Sequence, residues 1–170
     1  MHDCWHETHS GYPDMVVVSF HGGAEGTSAM RTRNQTEYFF GENRGNVVAF
    51  SRALVDAGAD LVLGHGPHVP RALELYQGKL IAYSLGNFVG YRSLSTQAQL
   101  GDSLVLETEL DSEGNLLVGK IHPVRLDRNG IPKPATNNAT IELMRRLTRS
   151  DFPQTPLVID PDGMIVPQAP

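Results

Sequence analysis

Apolar positions along the chain fall into short runs that end abruptly at glycine-rich or histidine-bearing segments. Residues 15–20 form a continuous run rich in β-branched side chains, the pattern of a strand buried on both faces. The run stops at His21-Gly22-Gly23-Ala24-Glu25-Gly26, a loop whose backbone must turn tightly or approach something closely. Residues 27–42 mix polar and aromatic side chains and read as a long irregular loop. From about residue 43 to 57 the spacing becomes helical, with Val47, Phe50, Leu54 and Val55 on one face and Gly58 placed to end it. A second buried strand at 60–63 runs into Gly64-His65-Gly66-Pro67-His68. Residues 69–77 read as a short helical turn with Val69, Leu73 and Tyr76 on one side. A third strand at 80–85 closes in Gly86-Asn87. Strand, helix and strand with short links favour parallel pairing.

The second half changes character. Residues 103–110 and 116–126 alternate or run apolar around Asp111-Ser112-Glu113-Gly114-Asn115, which predicts a hairpin. Residues 136–149 predict a helix with Ile141, Met144 and Leu147 facing inward, and Leu157-Val158-Ile159 can pair as an edge strand. Together these elements predict an α/β fold (α+β in some schemes) with mixed β-sheets flanked by helices. The chain divides into a flexible lead-in (1–14), a main domain (15–151) and a Pro-rich tail (152–170).

Composition narrows the function. Net charge is −5, from 14 basic and 19 acidic residues, which argues against nucleic acid as a partner. The local group Arg125, Arg128, Lys133, Arg145, Arg146 and Arg149 reads as a solvated face rather than an anion site. No run approaches the ~20 apolar residues needed for a direct membrane span. The single cysteine, Cys4, excludes an internal disulfide and a cysteine-only zinc site. The polar start lacks the apolar core of a secretory signal, so the chain is expected to be cytosolic or to lack its natural beginning.

Candidate chemistry follows from position. His21, then His65 and His68, then Asn87 sit at the ends of three successive predicted strands, which converge if those strands are parallel neighbours. Imidazole is a ligand for zinc, iron, manganese or copper. His122 reads as structural, and His2, His6 and His9 as part of the solvated lead-in. Ser19 and Ser84 lie outside any Gly-x-Ser-x-Gly elbow, Cys4 has no scaffold for a dyad, and the loop at 22–26 lacks the Gly-Lys-Ser/Thr end of a phosphate loop.

Three blocks carry a resemblance: Val16-Val17-Val18-Ser19-Phe20-His21-Gly22-Gly23-Ala24-Glu25, then Asp56-Ala57-Gly58-Ala59-Asp60-Leu61-Val62-Leu63-Gly64-His65-Gly66-Pro67-His68-Val69, then Ile81-Ala82-Tyr83-Ser84-Leu85-Gly86-Asn87-Phe88. In this order they resemble the bacterial CapA family of poly-γ-glutamate capsule-synthesis proteins, within the calcineurin-like metallophosphoesterase superfamily. The resemblance implies part of a four-layer sandwich and a divalent metal site (Mn, Fe or Zn), dinuclear in the complete domain. It implies His21, His65 and His68 as metal-binding and catalytic residues, with Glu25 and Asn87 orienting substrate. Gly66 stands where many relatives carry another histidine.

The resemblance also implies metal-assisted hydrolysis of a phosphoester or polymer-related substrate, in capsule synthesis at the cell envelope. The family's Asp-x-His, Gly-Asp and Asn-His ligands precede the block that begins here at Val16, so the chain is expected to correspond to the C-terminal half of a member. Three histidines without a bridging carboxylate then bind one metal weakly. Apolar surface on 16–20 and 61–63 is expected to drive self-association or docking of a complementing N-terminal half. Two other readings stay open: a non-catalytic subunit of a membrane-associated polymer-synthesis assembly, and an inactive truncated remnant.

Overall fold

The computed structural model describes residues 14–168; Cys4, His2, His6, His9 and nearly all of the expected lead-in lie outside the described residues. Strand β1 (Val17–His21) leads through a 3-10 turn to the hairpin β2 (Glu37–Phe39)–β3 (Glu42–Gly45), helix α1 (Val47–Asp56), β4 (Leu61–His65) and the hairpin β5 (Leu73–Tyr76)–β6 (Lys79–Ala82). Then follow β7 (Asp102–Leu110), β8 (Leu116–Leu126), β9 (Pro132–Pro134), helix α2 (Ala139–Asp151), β10 (Leu157–Ile159) and β11 (Met164–Pro167).

The first sheet has the order β1-β4-β6-β5. β1, β4 and β6 are parallel and β5 returns antiparallel to β6, so three strands end on the same side. The second sheet is antiparallel, with the order β10-β11-β8-β7 and β9 also on β8. One core joins Leu61, Leu73 and Leu80 of the first sheet to Leu104, Ile121 and Ile165 of the second, with Ile141 and Met144 of α2. A second core lies under α1, where Val47, Val48 and Val55 meet Val62, Ile81 and Tyr83, closed by Leu143, Leu147 and Phe152. The mixed α/β architecture is consistent with a metallophosphoesterase-like fold.

Local chemistry sets the elements. Asn46 caps α1 by accepting the Ala49 N–H at 3.0 Å. Buried Glu74 accepts from Arg52 of α1 (2.5 Å) and from the Tyr83 hydroxyl (2.6 Å), tying the helix to the sheet. Burial and then the Glu74 carboxylate push the Tyr83 pKa up, so the phenol stays a donor.

Four expectations change. β1 is an edge strand, with Val17 51% exposed, rather than a strand buried on both faces. The expected exposed surface at 61–63 is instead largely covered, since β4 lies between β1 and β6 with Val62 fully buried. Residues 73–76 form β5 rather than a helical turn, because Gln77 (φ +51°) and Gly78 (φ +80°) make a tight turn into β6. Within 27–42 the chain is more ordered than a loop, holding the 3-10 turn Thr27–Ala29 and the strand β2. The tail contributes the expected edge strand β10 and a further strand, β11, which pairs with β8.

Candidate functional site

Parallel pairing places the Cα of His21 opposite that of His65, so the two imidazole-bearing ends of β1 and β4 are adjacent. The Gly22 N–H donates to the His65 carbonyl at 2.9 Å and extends this register into the loops. Gly66 has φ +115°, and a Cβ there would lie 2.6 Å from the Gly22 carbonyl oxygen. A side chain has no room, which explains why glycine occupies this position. The chain then reverses through His68, itself at φ +61°, and the His68 ring lies edge-on to that of His21 with centroids 5.9 Å apart.

The protonation pattern of His68 follows from its neighbour. Asn87, 4% exposed, donates from Nδ2 to the Leu100 carbonyl at 3.1 Å. Its Oδ1 therefore faces His68 Nδ1 at 2.7 Å, so Nδ1 donates to Asn87 and Nε2 is the nitrogen turned away from it. Asn87 is thus occupied in orienting His68 from within the fold. Glu25 places Oε2 3.7 Å from His68 Nε2 and pairs with Arg44 at 3.2 Å. Burial, and then the proximity of His21, lower the His65 pKa and favour the neutral ring.

These observations bear on a metal. A neutral imidazole at His65, and a His68 ring with one nitrogen anchored, are features of divalent-metal donor sets. Among the described residues no three His, Cys, Asp or Glu side chains converge as a ligand group.

Beside them opens a cleft of about 430 Å³, sharing Glu25 with the histidine site. Arg71, with a fully buried side chain, forms part of its lining and holds Glu37 through two bonds of 2.9 Å. Glu37 in turn accepts the Ala24 N–H at 2.6 Å, and Arg71 donates to the Ala24 carbonyl at 3.2 Å. This network fixes the glycine-rich loop after β1. Sequence reading missed Arg71 and Glu37, whose pairing across 34 positions leaves no local signal.

Comparisons with known proteins agree with the motif reading. A model of the bacterial capsule synthesis protein family PGA_cap matches residues 6–92, just over half of the chain. The capsule biosynthesis protein CapA of Bacillus anthracis is 32% identical over 127 residues, covering 75% of this chain and 26% of that protein. The PGA biosynthesis protein CapA of Bacillus subtilis (strain 168) is 30% identical over 141 residues, covering 81% and 32%. A probable polyglutamine synthesis accessory protein of Mycobacterium tuberculosis is 32% identical over 122 residues, covering 68% and 28%. The chain thus spans between a quarter and a third of the length of these curated relatives. The family match, the motif blocks and the α/β architecture lead to one assignment: the chain belongs to the bacterial capsule synthesis protein family.

Proposed function

We propose that this chain supplies the histidine side of a metal-dependent phosphoesterase site, acting in the synthesis of poly-γ-glutamate or a related envelope polymer. The observation that carries the reading is the gathering of His21, His65 and His68 at one end of the first sheet, with His68 Nδ1 anchored on Asn87. His21, His65 and His68 would hold a Mn, Fe or Zn ion. When bound, such an ion supplies Lewis-acid stabilisation of phosphoryl charge and an activated water. The chain's own residues do the rest: Asn87 fixes one ring, burial keeps His65 neutral, and Glu25 places a carboxylate at the rim. Carboxylate ligands to complete the site would come from outside the described residues, or from a partner or second copy docked at β1.

The relatives' names support a role in capsule synthesis, and with it a place at the cell envelope. No helix among the described residues is long and apolar enough to cross a membrane. Dialysis against Mn, Fe or Zn followed by metal analysis tests the site. We expect bound metal that falls several-fold in His65→Ala, and manganese-dependent hydrolysis of an aryl phosphate that is abolished in His21→Ala. Absence of metal from the wild-type chain, or an unchanged content in His65→Ala, overturns the metal reading. A second reading, a non-catalytic binding module, draws on the lack of a converged ligand group among the described residues. Metal-independent polymer binding without hydrolysis would favour it.

A further inference from the structure

The cleft beside the histidines contains a cation that the fold leaves unmatched. Arginines cluster around it, and most have a carboxylate of their own. Arg31 pairs with Asp151, Arg44 with Glu25 and Glu42, and Arg71 with Glu37. Arg33 lines the same cleft, is exposed, and has no carboxylate partner among the described residues. Its two neighbours in the chain are nonetheless both held. The Thr32 N–H donates to Asp151 Oδ2 at 2.7 Å, and Asn34 Oδ1 accepts from Asn46 at 2.8 Å. The Gln35 N–H closes back onto the Arg33 carbonyl at 2.8 Å. A guanidinium presented on a fixed backbone loses little backbone entropy when it takes up a ligand.

The surroundings favour an oxyanion. The Nε of Arg71, buried in the cleft lining, has no hydrogen-bond partner among the described residues, and Tyr38, Gln35 and Ser28 add polar groups. Guanidinium forks match carboxylate and phosphate through paired N–H donors. We infer that this cleft is an anion-reading subsite in which Arg33 receives a carboxylate or phosphate group of the ligand handled at the neighbouring histidines. Calling that ligand a substrate rests on the proposed function; the binding itself does not.

The test uses the full chain in EDTA, with fluorescence anisotropy of a labelled γ-linked hexaglutamate and calorimetry of pyrophosphate. At least one probe binds the wild-type protein. Arg33→Gln weakens that binding at least tenfold, the ~1.4 kcal/mol expected for losing a charge-assisted bond. Arg33→Lys keeps part of it, and Arg146→Gln, an exposed change on α2, leaves it intact. Hexaglutamate binding that pyrophosphate does not compete with identifies a carboxylate ligand; binding of pyrophosphate alone identifies a phosphate. Either result supports the subsite. No binding of either probe, or equal affinity in Arg33→Gln, overturns it. Because the probe assay is run without metal, an unchanged metal content in His65→Ala with the probe still bound counts only against the histidine reading, and equal probe affinity in Arg33→Gln with metal binding intact counts only against the subsite.

Discussion

The two edges of the first sheet are built differently. At the β5 edge the outward N–H groups have partners: Leu73 donates to the Thr148 hydroxyl at 3.0 Å and Leu75 to the Thr155 hydroxyl at 2.9 Å. Helix α2 and the segment after it thus close that edge with side chains, and Leu73 is fully buried. At the β1 edge no strand pairs on the outer side among the described residues, and Val17 is half exposed. The candidate site borders the open edge, since β1 ends in His21. One side of the sheet is finished by its own chain, while the side carrying His21 has no strand partner among the described residues, the usual template for another strand.

The largest expected effect tests the junction between the open edge and the site. Gly66→Ala must place a methyl group against Gly22 and hold a left-handed φ, which together cost about 3 kcal/mol. Urea denaturation should show that loss, and the displaced loop should lower metal content with it. A Gly66→Ala protein of wild-type stability would mean that the loop has a second conformation.

The next effects contrast the edges directly. Thr148→Val leaves the Leu73 N–H buried without a partner, at a cost of about 1–3 kcal/mol. Val17→Lys on the open edge should cost under ~0.5 kcal/mol, as substitutions at exposed positions do. Equal losses in the two variants would show that β1 is covered in solution. Light scattering at micromolar concentration sharpens the point: the wild-type chain should run larger than a monomer, and Val17→Lys should shift it toward the monomer by charging the pairing edge. A monomeric wild-type chain removes the docking role of β1.

How far the sequence revealed this asymmetry depends on the range of the interactions. The parallel strands, both helices and the β7–β8 hairpin were legible, because period and turn residues are local signals. The histidines were legible as strand-end residues, since each follows an apolar run. Which edge β1 would occupy was not, because a β-branched run looks the same at the centre and at the border of a sheet. β5 was misread because Leu73, Glu74 and Leu75 are all buried, so the strand shows no alternation. Glu74 is tolerated there only through Arg52 and Tyr83, partners set by tertiary packing. The cleft was invisible for the same reason, its lining drawn from the loop after β1, the hairpin strand β2 and Arg71.

The smallest effect concerns a side-chain clamp that helps hold the open edge to its neighbour. Asp60, just before β4, accepts the Val16 N–H at 2.9 Å and the Lys79 ammonium at 2.9 Å. Burial raises its pKa, but the Val16 bond and the Lys79 charge outweigh burial and hold it below its ordinary value. A carboxylate with a depressed folded-state pKa binds fewer protons folded than unfolded. Its contribution is complete above about pH 4 and is lost as pH falls from there through the folded pKa. Asp60→Asn should therefore cost about 1 kcal/mol at neutral pH and flatten the acid limb of the stability curve. Because the Val16 bond is the clamp's link to β1 and β5 keeps its own bonds to Thr148 and Thr155, hydrogen exchange should rise at residues 16–20 while β5 stays protected. Equal loosening at both edges would show that the sheet opens as one unit, and the contrast between its sealed and open sides would then have no energetic consequence.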